Sequence, residues 1–361
     1  MFYNITNDFS KQMTENKRNY NSKGRLRWMR IFVFVCFLLQ VFVADGQERA
    51  TSIALKGNVR RLYTYAHLAK DILINKNTLV SYEKGKVLNH VEYIFEKNGL
   101  LLAENKFDDK DIINHSYIYT YENDKLVDVT QAYAGKFLIQ RTEYKYDKTG
   151  KKYQAIVYNN KDSLQNTIVY KYDSLDNLIS EKKYNMLNWM IADIYYQYDD
   201  RGNCILVDNL KTNTHSNKPY QEVRRFDDRN NLIFQSFTRQ DNLEWEYIAR
   251  YNKNDSLIYE EVRDGEGKML SYSELKYNKR NNRILLKQYK QDTKISERKT
   301  HYKYNKEGNL YMETVYDVKN KTPYITRTYF YDDKGNWIYC LEKDKRTEMI
   351  IVHSRRIIYY D

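Results

Sequence analysis

The chain has 361 residues, with 60 Lys and Arg against 48 Asp and Glu, a formal charge of +12. It carries 37 Tyr and 13 Phe but only 2 Pro and 12 Gly. Disordered segments are poor in aromatic and β-branched residues, so this composition excludes a disordered chain, and no Pro/Gly/Ser-rich linker divides it.

In chain order, the first 28 residues are polar and basic. Arg25, Arg27 and Arg30 precede an apolar run from Ile31 to Val43 that only Gln40 interrupts. Ala44-Asp45-Gly46 then places small residues at the −3 and −1 positions before Gln47. This predicts a secretory signal peptide over residues 1–46 with a long n-region, and Met29 reads as an alternative start. The run is too short for a membrane span. Val35 precedes Cys36 without a lipoprotein cleavage box, so the expectation is export to the periplasm, cell surface or medium without a lipid anchor. Loss of residues 1–46 lowers the formal charge from +12 to +8.

Residues 47–90 read as N-terminal capping strands and 91–361 as a repeat domain. Its unit is an aromatic residue, Asp or Asn, two variable residues, then Gly, Asn or Asp, usually followed by Asn and an apolar residue. The anchors Tyr146, Tyr172, Tyr198, Phe226, Tyr251, Tyr277, Tyr304 and Tyr331 step by 26, 26, 28, 25, 26, 27 and 27 residues, with weaker copies at Phe95 and Tyr121. A fixed period in this range signals a repeat architecture. Asp or Asn at the first corner is type I turn chemistry, and residues 150, 176, 202, 230, 255, 281, 308 and 335 are all Gly, Asn or Asp, the types that tolerate positive φ. The flanks alternate with period two, as in Met190, Ala192, Ile194, Tyr196 and Tyr198. The prediction is an all-β fold: an antiparallel β-meander with two strands per repeat, forming an elongated twisted or curled sheet. The second turn of each repeat is less regular, as at Asn159-Asn160-Lys161-Asp162 and Asp264-Gly265-Glu266-Gly267. Cys204 and Cys340 lie five repeats apart, too far for a disulfide unless the sheet rolls back on itself.

Aromatics two apart before the turn, such as Tyr170/Tyr172, Tyr196/Tyr198 and Tyr302/Tyr304, share one face and build ladders. One role is self-packing of neighbouring repeats. The other is a stacking platform for sugar rings, with Tyr170, Tyr172, Tyr196, Tyr198, Tyr302 and Tyr304 as binding candidates. Between the rings stand Lys145, Lys171, Gln197, Arg225, Arg250, Lys276 and Lys303, a stripe that reads either as a solvated surface or as a polyanion track. His67, His90, His115, His215, His301 and His353 are scattered without metal-ligand spacing, and there is no phosphate loop or nucleophile elbow. No catalytic residue, metal or cofactor is expected. Acidic turns such as Asp199-Asp200 are explained by turn chemistry. The signal peptide and the acidic complement argue against nucleic acid.

The segments Tyr196-Gln-Tyr198-Asp199-Asp-Arg-Gly202-Asn203, Tyr302-Lys-Tyr304-Asn305-Lys-Glu-Gly308-Asn309 and Tyr329-Phe-Tyr331-Asp332-Asp-Lys-Gly335-Asn336 resemble the YD repeat of the RHS (rearrangement hotspot) family. The likeness covers most of 91–361. It implies an exported bacterial β-sheet protein, which in larger members is a strip spiralling into a hollow shell around a toxin. The period here is longer than that family's usual spacing, and neither a shell-closing core segment nor a toxin domain follows, so toxin delivery and catalytic residues are not carried over. The expected function is non-enzymatic: an extracytoplasmic protein binding a glycan, an envelope component or a protein, with at most peripheral membrane contact. A structural scaffold or encapsulating shell is the alternative, and an enzyme with its site on the irregular loops is a third.

Overall fold

The structure is a computed structural model that describes residues 55–75, 78–212, 218–290, 298–317 and 322–361. The signal peptide, the start at Met29 and the processing site before Gln47 lie outside the described residues. Twenty-two strands follow in order among the described residues: β1 Val59–Asn75, β2 Thr78–Phe95, β3 Leu101–Phe107, β4 Ile113–Glu122, β5 Lys125–Tyr133, β6 Phe137–Tyr146, β7 Lys152–Asn159, β8 Leu164–Tyr172, β9 Leu178–Asn185, β10 Met190–Tyr198 and β11 Cys204–Thr212. They continue as β12 Tyr220–Phe226, β13 Leu232–Arg239, β14 Asn242–Tyr251, β15 Leu257–Asp264, β16 Met269–Tyr277, β17 Arg283–Lys290, β18 Arg298–Tyr304, β19 Leu310–Asp317, β20 Thr322–Tyr331, β21 Trp337–Asp344 and β22 Met349–Tyr359. Each pairs antiparallel with its sequence neighbours, which is the expected meander.

The expected elongated open sheet is corrected. β22 pairs with β1 from Val59↔Tyr359 to Leu68↔Ile351, so the wall closes into a 22-stranded barrel. The physical reason is the edge: an open sheet of this length presents two unpaired strands, and closure removes both.

Ten cassette turns line one end. The eight predicted left-handed positions all have positive φ, at Gly150, Asp176, Gly202, Asn230, Asp255, Asn281, Gly308 and Gly335. The first corner sets the turn with its side chain. Asp173 Oδ1 accepts the backbone N–H groups of Leu175 and Asn177 at 2.9 and 2.8 Å, and Asp199 repeats this with Arg201 and Asn203. The opposite end is more regular than its sequence suggested. Asn159 and Asn185 accept the same two N–H groups, with Asp162 and Asn188 at positive φ.

The cassette tyrosine has its own task. Between repeats the ladder stops short: β10 and β9 are last paired at Tyr195↔Ser180. Tyr198 Oη reaches past that point and donates to the carbonyl of Leu178 at 2.9 Å. Tyr146, Tyr251, Tyr277, Tyr304 and Tyr331 do the same to Leu126, Leu232, Leu257, Arg283 and Leu310. The hydroxyl serves a carbonyl that lies beyond the last pair of the ladder.

At the seam, the segment before β1 takes the place of a further turn. Asn336 Oδ1 accepts the Lys56 N–H at 2.7 Å, while its Nδ2 donates to the Lys56 carbonyl and to Tyr359 Oη. Leu55, Val59, Leu62, Phe95 and Leu101 bury a cluster beside it. β1 outruns β22, and its far part with β2 packs Ala69 and Leu79 on Phe330, Leu341 and Val352, on the face opposite the tyrosine ladder. Gly85 permits this bend: a Cβ there would meet the Leu68 carbonyl oxygen at 2.8 Å.

Candidate functional site

Closure turns one face of every strand inward, where curvature crowds the side chains. The ladder tyrosines occupy that face. Burial holds Tyr170, Tyr196, Tyr247 and Tyr329 well above the usual phenol range, so all four stay neutral in any physiological medium. The residues between the rings point outward, and Lys171, Gln197, Arg225, Arg250, Lys276 and Lys303 are exposed.

The six predicted binding residues divide in position and duty. Tyr170 and Tyr172 on β8 and Tyr196 and Tyr198 on β10 flank β9 on one stretch of the inner wall. Tyr302 and Tyr304 sit on β18, in a distant part of the barrel. Tyr198 and Tyr304 are engaged as hydroxyl locks. Tyr302 is buried, and Arg283 stacks on its ring at 4.5 Å. Tyr170 and Tyr196 are half-buried. Lys152 Nζ lies 4.8 Å from the Tyr170 ring centroid, and Tyr196 Oη donates to Glu181 at 3.3 Å. Burial pushes the Glu181 carboxyl up. This stretch therefore combines planar rings with one cation and one carboxylate.

At the cassette end, Asn278, Lys279, Arg280, Asn282, Tyr304 and Asn305 line an open crevice of 340 Å³ between two successive turns. Asn278 Oδ1 fixes one wall by accepting the N–H groups of Arg280 and Asn282 at 2.9 and 3.0 Å. Arg280 Nη1 crosses to the Lys306 carbonyl at 3.2 Å. Of the predicted residues only Tyr304 lines this crevice. The signal for the others was present in the chain, as Asn in place of Asp at the first corner followed by Lys and Arg.

No protein-family model matches the chain, and no curated protein matches it either. Comparison with solved structures finds low-identity likenesses. It is similar to a TcdB2-TccC3-Cdc42 structure at 14% identity over 81% of this chain and 18% of that chain, with a TM-score of 0.37. It is also similar to a Photorhabdus luminescens Tc holotoxin pore at 13% identity over 72% of this chain and 18% of that chain, TM-score 0.26. A porin-like protein from Bacteroides uniformis ATCC 8492 matches at 9% identity over 84% of this chain and 99% of that chain, TM-score 0.29. The chain thus spans less than a fifth of the two toxin-complex chains. At these values the likenesses say nothing of activity or partner.

Among the described residues, no group of three His, Cys, Asp or Glu side chains is placed to hold a metal ion. Cys204 and Cys340 are free thiols on β11 and β21, ten strands apart in a wall of twenty-two, and burial pushes the Cys340 thiol up to about 12. Arg327 on the inner face binds Glu342 at 2.6 Å and Glu313 at 3.2 Å, and Arg224 binds Glu222 at 2.6 Å. Opposed charges thus close on one another along that wall.

Proposed function

We propose that the chain is a non-enzymatic, extracytoplasmic binding barrel that takes a glycan or another envelope component. One observation carries this reading: the two tyrosines of a cassette do different work. Tyr198 is committed to a carbonyl of the wall, whereas Tyr196 presents a half-buried ring beside Tyr170, Lys152 and Glu181. Rings next to hydrogen-bonding groups suit a saccharide, whose apolar face stacks while its hydroxyls bond. The chemistry of the site needs no cofactor or catalytic group. Export, which the leader pattern at residues 1–46 supports, would bring the barrel to such ligands.

The test is a glycan array with the wild type, Tyr170→Ala and Tyr196→Ala, each checked by circular dichroism and thermal unfolding. Binding lost in folded variants supports the reading. A wild type that binds no glycan and no envelope protein would leave the second reading, a structural scaffold or shell. The hydroxyl locks favour that alternative, since they tie most cassette tyrosines into the wall itself.

A further inference from the structure

The cassette turns are alike in backbone and unlike in charge. From β6 to β13, the first corners are Asp147, Asp173, Asp199 and Asp227, and three of the four cations in these turns are paired, Lys148 making no ion pair among the described residues. Lys151 meets Asp176, Arg201 meets Asp199, and Arg229 meets Asp227 and Asp255. From β14 to β19 the first corners are Asn252, Asn278 and Asn305. The turn does not suffer, because Asn Oδ1 accepts the same N–H groups. What is lost is the carboxylate.

Lys253, Lys279, Arg280 and Lys306 stand at the tips of these three turns, all exposed. Arg250, Lys276 and Lys303 lie two residues before the corners on the outer face, also exposed. None of the seven makes an ion pair among the described residues. The acids of the same turns are Asp255, which Arg229 already holds, and Glu307. Successive turns are two strands apart, so the cations recur about every 10 Å along the rim. The crevice lined by Asn278, Arg280 and Tyr304 opens in the middle of this arc.

We propose that this arc binds a linear acidic polysaccharide, its carboxylate or sulfate groups lying along the lysine tips and one sugar unit entering the crevice beside Tyr304. The proposal rests on the glycan reading above and specifies the ligand's charge and its place on the barrel. Repeated like charges without counterions raise the local concentration of a polyanion and leave it salt-sensitive. A membrane is a poorer match. The three tips present no large apolar side chain for insertion, while Phe137, Met186, Leu187 and Trp189 are exposed at the opposite end.

The experiment measures equilibrium binding of polygalacturonate and heparin to the full chain at low and high salt. Dextran, anionic vesicles and single-stranded DNA serve as comparison ligands. The Lys253→Gln/Lys279→Gln/Lys306→Gln variant is expected to lose at least ~10-fold in affinity for the acidic polymers. Lys110→Gln/Lys136→Gln/Lys161→Gln, which removes the same charge from the opposite end, should bind as the wild type does. Equal losses in both variants would reduce the effect to net charge and overturn the proposal. Preference for vesicles or DNA over the acidic polymers would overturn it too. Binding of dextran alone, unchanged by either variant, would overturn the acidic-rim proposal and leave the glycan reading intact. Binding of no glycan would overturn both.

Discussion

Two arcs of one rim, β6 to β13 and β14 to β19, share a turn and differ in what surrounds it. In the first, the turns at Asp147, Asp199 and Asp227 are each tied to the one that follows. Asn203 Nδ2 donates to Asn230 Oδ1, Asn231 Nδ2 to Asp255 Oδ1, and Arg201 and Arg229 reach the carbonyls of Asp227 and Asn252. In the second, Ser256 Oγ to Asn281 and Arg280 to the Lys306 carbonyl are the ties that join the turns, and the lysine tips stay unpaired. The comparison teaches that backbone geometry and surface charge are separable here. Asp and Asn at the first corner make the same turn, so charge is free to vary around the rim without disturbing the wall.

The largest effect should come from the hydroxyl locks, which both arcs share. Tyr277→Phe/Tyr304→Phe in the basic arc is expected to lower unfolding free energy by about 2 kcal/mol, since each change strands one carbonyl. Tyr198→Phe in the paired arc should cost about 1 kcal/mol. Phe226 is the natural control, an aromatic in the same position without a hydroxyl. Urea unfolding measures both, and equal stability of wild type and double variant would refute the locks. Next in size, Arg201→Ala removes a bond to the Asp227 carbonyl at 2.7 Å and a partly exposed ion pair. About 0.5 kcal/mol is expected after solvent screening. Lys279→Ala, with no ion pair to lose, should leave stability unchanged by the same measurement.

How far this was legible in the chain can be argued from the same residues. Local chemistry was readable: the positive-φ positions from Gly150 to Gly335 follow from side-chain type alone, because only Gly, Asn and Asp bear that backbone readily. Closure was not, because it depends on twist and register accumulated over the whole wall, and on a β1 that matches β22 from Val59 to Leu68. The turns at Asn159 and Asn185 obey the cassette rule and even follow a tyrosine, Tyr158 and Tyr184, but they fall between the anchors of the 26-residue period, which hid their regularity. The ladder tyrosines looked interchangeable because sequence does not show where a β-ladder stops. The basic arc was hidden by treating Asp and Asn as one letter of the motif. They are equivalent for the turn and opposite for the field.

A transplant sharpens the comparison further. Asp199→Asn/Asp227→Asn gives two turns of the paired arc the corners of the basic arc, releases Arg201 from its carboxylate and leaves Arg229 with Asp255 alone. The fold should persist, as Asn252 and Asn278 demonstrate for the same turn. Affinity for polygalacturonate should rise and become more salt-sensitive. An unchanged isotherm would mean that unpaired rim charge does not determine binding.

The smallest effect is also the most selective, and it lies in acid. The side-chain amides of Asn177, Asn203 and Asn231 donate to Asp173, Asp199 and Asp227 and hold these carboxyls below the usual carboxylate range; Thr149 does the same for Asp147 through its hydroxyl. Their folded pKa lies below the unfolded one, so the unfolded chain takes up protons first as pH falls. The stability they contribute is complete above the unfolded carboxylate pKa and is lost as pH drops through the folded value. Asn252, Asn278 and Asn305 do not titrate, so the basic arc is indifferent to this change. Amide hydrogen exchange followed from neutral to strongly acidic pH should therefore show the β6–β13 turns opening before those of β14–β19, after correction for intrinsic exchange. Asp147→Asn/Asp173→Asn/Asp199→Asn/Asp227→Asn should abolish the difference. Simultaneous opening of both arcs in the wild type would show that the corner carboxylates do not control acid stability.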